Sequence, residues 1–210
     1  MSPPPSTSTV ATSTQLQAFV NYAREHKAVT IYDAVYSWFI KTSVMQTTKK
    51  AMIKCSTVSP FAEVWECSLT QNKSLHTTVE FEGGQVITNF RHKEVLDRPN
   101  YLTVQIGDCQ HIMLDPEYLQ YINHSCNPNV FFDTENRILI ALRKIEIGEE
   151  LTFFYPSTEW SMNRGFNCIC QNENCLGYIQ GAADVPLNIL TKYKLSQLIS
   201  AKLGMLTDIN

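Results

Sequence analysis

The segment Tyr121–Asn129 reads Y-I-N-H-S-C-N-P-N and gathers hydrogen-bonding and ligand chemistry into nine residues. Asn123 and His124 set an amide beside an imidazole, and Cys126 offers a thiolate ligand. Asn127-Pro128 forces a turn, because proline fixes its own φ and biases the residue before it away from helix. Two later segments answer to this one. Glu150–Tyr155 (E-L-T-F-F-Y) is apolar and β-prone, and Cys168–Cys175 (C-I-C-Q-N-E-N-C) has the composition of a small metal knuckle.

Beyond these segments, a chain of 210 residues with 44% hydrophobic content accommodates one domain with a packed core and extra segments at its ends. A net charge of -3 and a pI near 5.9 leave no basic face for nucleic acid. No apolar run reaches the roughly 18 residues of a membrane span, so no membrane partner is expected. The start, M-S-P-P-P-S-T-S-T, lacks the basic and apolar regions of a secretory signal. Seven cysteines are an odd set, and three of them fall within eight residues. That is a metal pattern in a reducing compartment, cytoplasm or nucleus, more than a disulfide framework.

Residues 1–12 are Pro, Ser and Thr with little to bury, which predicts disorder. Leu16, Phe19, Val20 and Ala23 then share one helical stripe, with Ser13 or Thr14 as its cap. Ile31–Ile40 is apolar nearly all round and reads either as a helix packed on the core or as a homodimer surface or lid. From Ile53 the chain predicts short strands at 61–69, 75–81, 101–106, 111–114, 137–142 and 151–155, with a hairpin-like turn at Glu82–Gln85. Asp115-Pro116 opens a short helix with proline in its first turn. Asp184 and Pro186 open a final helix carrying Leu195, Leu198, Ile199 and Leu203, ended by Gly204. The class is mostly β with short helices. Cys55, Cys67 and Cys109 sit on strand-like runs and read as core residues. Cys168, Cys170 and Cys175 supply three thiols where closed tetrahedral zinc takes four ligands, so a fourth comes from elsewhere. The alternative is three buried reduced cysteines without metal.

In order and spacing the three segments resemble the N-H-S-C-x-P-N, E-L-x-F-x-Y and C-x-C-x4-C signatures of the SET-domain family, lysine methyltransferases that use S-adenosylmethionine. The resemblance runs from about residue 60 to 180. It implies a fold of small β-sheets with a pseudoknot-like crossing near the C-terminus, and the following organisation: helical extension 13–52, SET domain 53–160, zinc-binding post-SET segment 161–182 and C-terminal helix 183–210. It makes Cys126 the fourth ligand of a structural Zn2+, clamping the C-terminal segment onto the organising stretch. It makes Asn123 and His124 cofactor contacts. The family's G-x-G opening falls on Asn72-Lys73-Ser74, followed by Leu75; both glycines are absent, but Lys73, Ser74 and Leu75 can keep main-chain contacts to the donor. Trp160 and Phe166 fall where relatives cover the cofactor with aromatics, though either reads equally as core.

Tyr155 is the catalytic residue the resemblance implies. A lysine with a pKa of about 10.4 must reach its free amine, at about 4 kcal/mol near neutral pH, before it attacks a sulfonium methyl. An apolar channel disfavours the ammonium, and a tyrosine hydroxyl at its end orients the amine. Phe153 matches the position where phenylalanine leaves room for di- or trimethylated product, and Phe154 replaces the usual aspartate of F-D-Y. The family's Y-x-G is degraded to Asn89-Phe90-Arg91-His92, so Phe90 lines the channel without a hydroxyl and Tyr101 is the nearest replacement. Three readings follow: a protein-lysine methyltransferase, the same chemistry on a small amine, or a SET-fold scaffold without catalysis. The short region between Phe90 and Asp115 motivates the second, and the lost glycine motifs motivate the third.

Overall fold

A computed structural model describes residues 51–207. The stripe at 16–23, the aromatic run at 31–40 and the disorder expected at 1–12 lie outside the described residues.

Five small sheets carry the architecture. β1 (Met52–Ser59), β2 (Ala62–Cys67) and β3 (Lys73–Thr77) form an antiparallel sheet in that order. In β2, Ala62 and Val64 point inward at alternate positions, as a half-buried strand requires. β4 (Val86–Asn89), β9 (Val130–Asp133) and β10 (Ile138–Ala141) form a second sheet with β10 central. β5 (Arg91–Leu96), β6 (Thr103–Gly107) and β7 (Gln110–Asp115) form a third with β7 central, so the chain from 91 to 115 folds back on itself without a long insert. β12 (Phe166–Asn167) pairs with β13 (Tyr178–Ile179) across the cysteine loop.

The remaining pair is parallel: β8 (Asn123–His124) lies beside β11 (Thr152–Phe153). Parallel neighbours cannot be joined by a tight turn, so the chain must travel out through β9 and β10 and return before β11 can lie against β8. Ser125 N–H donates to Phe153 O at 3.0 Å and Asn129 N–H to Thr152 O at 3.1 Å, extending this crossing past the two strands. It is the knot-like feature expected of the fold.

β11 also divides the interior. Phe153 enters a large core with Leu75, Phe90, Ile112, Phe132 and Leu151. Phe154, its neighbour, points the other way into a second core with Ala182, Leu190 and Ile199. A two-residue side-chain period sends adjacent phenylalanines to opposite faces. Each buried ring contributes roughly 2–3 kcal/mol.

Several expectations change. The turn at Glu82–Gln85 forms, with Gln85 N–H to Glu82 O at 3.0 Å, but joins two sheets instead of closing a hairpin, because β4 pairs with β10. Pro116 caps a 3-10 turn, Glu117–Tyr121, from outside its first turn. The single C-terminal helix is two, α1 (Leu187–Leu190) and α2 (Gln197–Thr207), and Gly204 lies within α2. The chain breaks between them where Tyr193 turns inward to stack on Phe154. Cys67 is buried, whereas Cys55 and Cys109 are exposed, one on a strand at the edge of its sheet and one in the turn between β6 and β7. Among the described residues no helix is long and apolar enough to cross a membrane.

Candidate active site and thiolate cluster

The sulfurs of Cys126, Cys168, Cys170 and Cys175 lie within 4.8 Å of one another, with Cys126 and Cys168 3.9 Å apart. A tetrahedral ion with Zn–S bonds of about 2.3 Å separates its sulfurs by about 3.8 Å, so the four thiols fit such an ion. The loop is shaped for this: Cys168 N–H bonds to Gly177 O at 2.7 Å, and Gly177 takes a φ of 77° that glycine adopts without cost. Burial pushes the Cys126 thiol up to about 11. Burial also acts on Cys170, but hydrogen bonds from Asn172 outweigh it and hold that thiol at about 6, so a thiolate is present at neutral pH.

His124 links this cluster to Tyr155. Its Nδ1 accepts Tyr155 N–H at 3.3 Å, which puts the ring proton on Nε2, 3.3 Å from Cys126 Sγ. Burial holds the imidazole at about 4, so the ring is neutral. The turn that begins at Tyr155 thus hangs from the cysteine cluster by one side chain.

Around Tyr155 the aromatic rings are continuous. Phe90 meets Phe132 at 5.4 Å between centroids, Phe132 meets Phe153 at 4.8 Å, and Phe153 meets Tyr155 at 4.6 Å. His124 and Phe166 close the other side at 5.3 and 5.9 Å. The Tyr155 hydroxyl reaches Ile122 O at 3.5 Å. Burial first, then the charges of Glu150 and Glu159, raise its pKa well above the ordinary tyrosine value, so it stays a neutral hydroxyl.

The Asn123 amide donates to Lys73 O and to Glu150 Oε1, both at 2.9 Å, tying β3 to the organising stretch. Ser74 and Leu75 are buried, and Leu75 O accepts Leu151 N–H at 2.8 Å. The Lys73 ammonium lies 5.4 Å from the Tyr121 ring centroid. That cation near Asn123 is chemically suited to the carboxylate of an amino-acid-bearing donor.

Tyr155, Phe153, Phe90, Phe166, Asn123 and His124 are therefore brought together, and three of the expected residues are not among them. Tyr101 is 86% exposed on the turn before β6. Phe154 stacks on Tyr193 at 3.8 Å in the second core, and Trp160 packs against that same core with Lys202 5.4 Å from its ring. A cleft of about 510 Å³ opens on this Phe154 face, lined by Cys126, Asn127, Phe131, Ser157, Cys175 and Lys194 but not by Tyr155.

Asn129 and Gly181 hold places to which the sequence alone assigns no role. Asn129 is buried, donates to Glu150 O at 2.8 Å and accepts Thr152 N–H at 2.8 Å, stitching the crossing together. Its signal is the final asparagine of the N-H-S-C-x-P-N signature. Gly181 runs against the Trp160 backbone so closely that a Cβ would lie 2.1 Å from Trp160 O. The small-residue run Gly181-Ala182-Ala183 is its readable sign.

A family model described as SET domain matches residues 47–156. The chain is 37% identical over 125 residues to methyltransferase flvH of Aspergillus flavus, covering 59% of this chain and 70% of that protein. It is 35% identical over 92 residues to a histone-lysine N-methyltransferase, H3 lysine-36 specific, of Candida albicans, covering 41% of this chain and 10% of that protein. It is 40% identical over 67 residues to a histone-lysine N-methyltransferase, H3 lysine-4 specific, of Emericella nidulans, covering 29% and 6%. The chain thus spans most of the first relative and a tenth or less of the two histone methyltransferases.

Proposed function

The chain belongs to the SET-domain family of S-adenosylmethionine-dependent methyltransferases, and on that premise we propose that its acceptor is the side-chain amine of a protein lysine. The observation that carries this reading is the enclosed hydroxyl of Tyr155 at the end of the Phe90–Phe132–Phe153 wall. An apolar wall favours the neutral amine over the ammonium, and the hydroxyl orients that amine in line with the methyl. The donor supplies a methyl group already activated on a sulfonium. Asn123, His124 and the main chain of Lys73–Leu75 would hold it, with Phe166 as its cover and the Lys73 ammonium as a partner for its carboxylate. Trp160 and Tyr101 join the site only if their loops shift toward it. Phe153 in place of tyrosine leaves room for di- and trimethylation.

Cys126, Cys168, Cys170 and Cys175 would hold a structural zinc ion, which would fix the His124–Tyr155 link. Free cysteines grouped for a metal support a reducing compartment, cytoplasm or nucleus. The three-strand fold-back of residues 91–115 favours a second reading, a small amine as acceptor, because no insert grips a polypeptide there.

Labelled donor offered with a peptide array and, separately, with a pool of small amines tests both. Label on lysine peptides is the expected result; label on small amines alone moves the assignment to the second reading. Tyr155→Phe is expected to lose roughly 10²-fold or more in kcat while binding the demethylated donor as before. Normal turnover by that variant would remove Tyr155 from its role.

A further inference from the structure

Two buried ionisable groups behind the catalytic turn take no part in the transfer described above. Glu159 and His111 are 5% and 4% exposed. Glu159 N–H bonds to Tyr155 O at 3.0 Å, so its position follows that of the tyrosine. Its Oε1 accepts Gln105 N–H at 2.7 Å and the Thr158 hydroxyl at 3.2 Å. Gln105 returns the contact, its Oε1 accepting Trp160 N–H at 2.8 Å. The two residues thus form a reciprocal brace between β6 and the segment that leaves Tyr155.

The other carboxylate oxygen, Oε2, faces His111 Nδ1 at 3.9 Å. That is beyond hydrogen-bond length, and Nδ1 is buried with no other partner among the described residues. Burial lowers the His111 pKa from its ordinary value and Asp97, on the connection after β5, offsets this only in part, so the ring is neutral near pH 7. Glu150 and Glu159 both act on Tyr155. The nearest lysine on α2, Lys202, is committed to Asp108 and the Trp160 ring. Among the described residues no Lys or Arg pairs with Glu159. A buried carboxylate with no fixed cation takes up a proton far more readily than an exposed one, and burial brings Glu159 to about 7.

We propose that Glu159 is a positioning residue for methyl transfer, its ionised carboxylate bracing the Tyr155 turn against β6 beside a neutral His111 ring. In acid the carboxyl takes up a proton and is neutral; as pH rises that proton passes to solvent and leaves the carboxylate. The ionised acceptor bonds Gln105 N–H more strongly than the neutral one, so the brace tightens as that proton leaves. This inference rests on the methyl-transfer reading for its kinetic consequence but not for the titration of Glu159.

The test compares wild-type protein, Glu159→Gln and His111→Asn in zinc-replete buffer. The wild-type kcat is expected to rise through an inflection near pH 7. Glu159→Gln keeps an acceptor for Gln105 but removes the titration, so its inflection should vanish and its kcat at pH 8 fall about tenfold, the loss of one charge-assisted bond. His111→Asn leaves the carboxylate and both of its bonds in place. Replacing a neutral ring by a neutral amide should leave the inflection near pH 7, and an inflection displaced by that change would assign the titration to His111 and overturn the proposal. A purely structural brace would lower kcat in Glu159→Gln with the inflection kept, and that result overturns it as well. Carboxyl NMR of the wild type reads Glu159 without any acceptor: titration near pH 7 supports the proposal, and titration in the ordinary carboxylate range refutes it. An enzyme inactive on every amine would sink the methyl-transfer reading while leaving the NMR titration of Glu159 unaffected.

Discussion

His124 spends both ring nitrogens on structure, one toward Cys126 and one toward Tyr155. His124→Phe keeps the ring contacts with Phe154, Tyr155 and Phe166 but removes the acceptor and the donor. Loss of such a partner of a metal ligand typically costs 10- to 100-fold in metal affinity, and competition with a chromogenic chelator should read that loss together with a fall in kcat. Metal affinity unchanged from wild type would refute the link. Glu159 makes the opposite kind of contribution. Its carboxyl, at about 7 in the folded protein, sits above the 4.5 of an unperturbed glutamate. The folded state therefore binds the proton more tightly, and this stability is complete below about pH 4.5 and lost as pH rises through about 7. The effect is roughly 3 kcal/mol. Urea unfolding of Glu159→Gln should accordingly show a gain over wild type at pH 8 that shrinks at pH 5. An equal difference at both pH values would mean that the carboxyl is not raised. Losing activity while gaining stability is the signature of a group kept for function.

Among the strands and helices, the C-terminal segment is held by backbone proximity as much as by thiolates. Ala182 N–H reaches Glu159 O at 2.8 Å and Ala183 N–H reaches Trp160 O at 3.0 Å, and Gly181 permits both. A Cβ at Gly181 meets backbone that cannot rotate away. Gly181→Ala should therefore cost about 3 kcal/mol or more, above the usual range for overpacking, and thermal unfolding would show it. A negligible shift in Tm would mean that the crossing is looser than its distances. The elements differ in how far the sequence discloses them. The strands at β2, β7 and β10 are legible because alternation or an apolar run declares them. β8 and β12 are two residues long and exist only through partners far along the chain, so no local pattern can reveal them. The site behaves likewise. Asn123, His124, Cys126 and Tyr155 are legible because each stands in a spaced signature. Glu159 gains its role from Gln105, and Gly181 from Trp160, across stretches of chain that no motif spans. The break between α1 and α2 has the same origin, since Tyr193 leaves helix to donate to Cys126 O at 2.9 Å.

An ion held by the four cysteine sulfurs would be the keystone of two cores. Cys126 belongs to the organising stretch and the other three cysteines to the C-terminal segment, so removing metal should separate the second core from the first without dissolving the first. Among the described residues the β5–β7–β6 sheet contributes no cysteine to the cluster. An ion bound only by the folded state adds about 2.7 kcal/mol at a free concentration a hundred times its Kd, so a strong chelator should lower Tm measurably. Hydrogen exchange then locates the damage. After chelation the amides of Cys168, Leu176 and Tyr155 should lose protection first, because their acceptors are Gly177 O, Cys126 Sγ and His124 Nδ1. Ile112 and Met113, inside the β5–β7–β6 ladder, should stay protected until global unfolding. Zinc should restore both the Tm and the Tyr155 amide. If Ile112 were exposed together with Tyr155, the ion would be holding the entire fold, and the two cores divided by β11 would have to be treated as one cooperative unit.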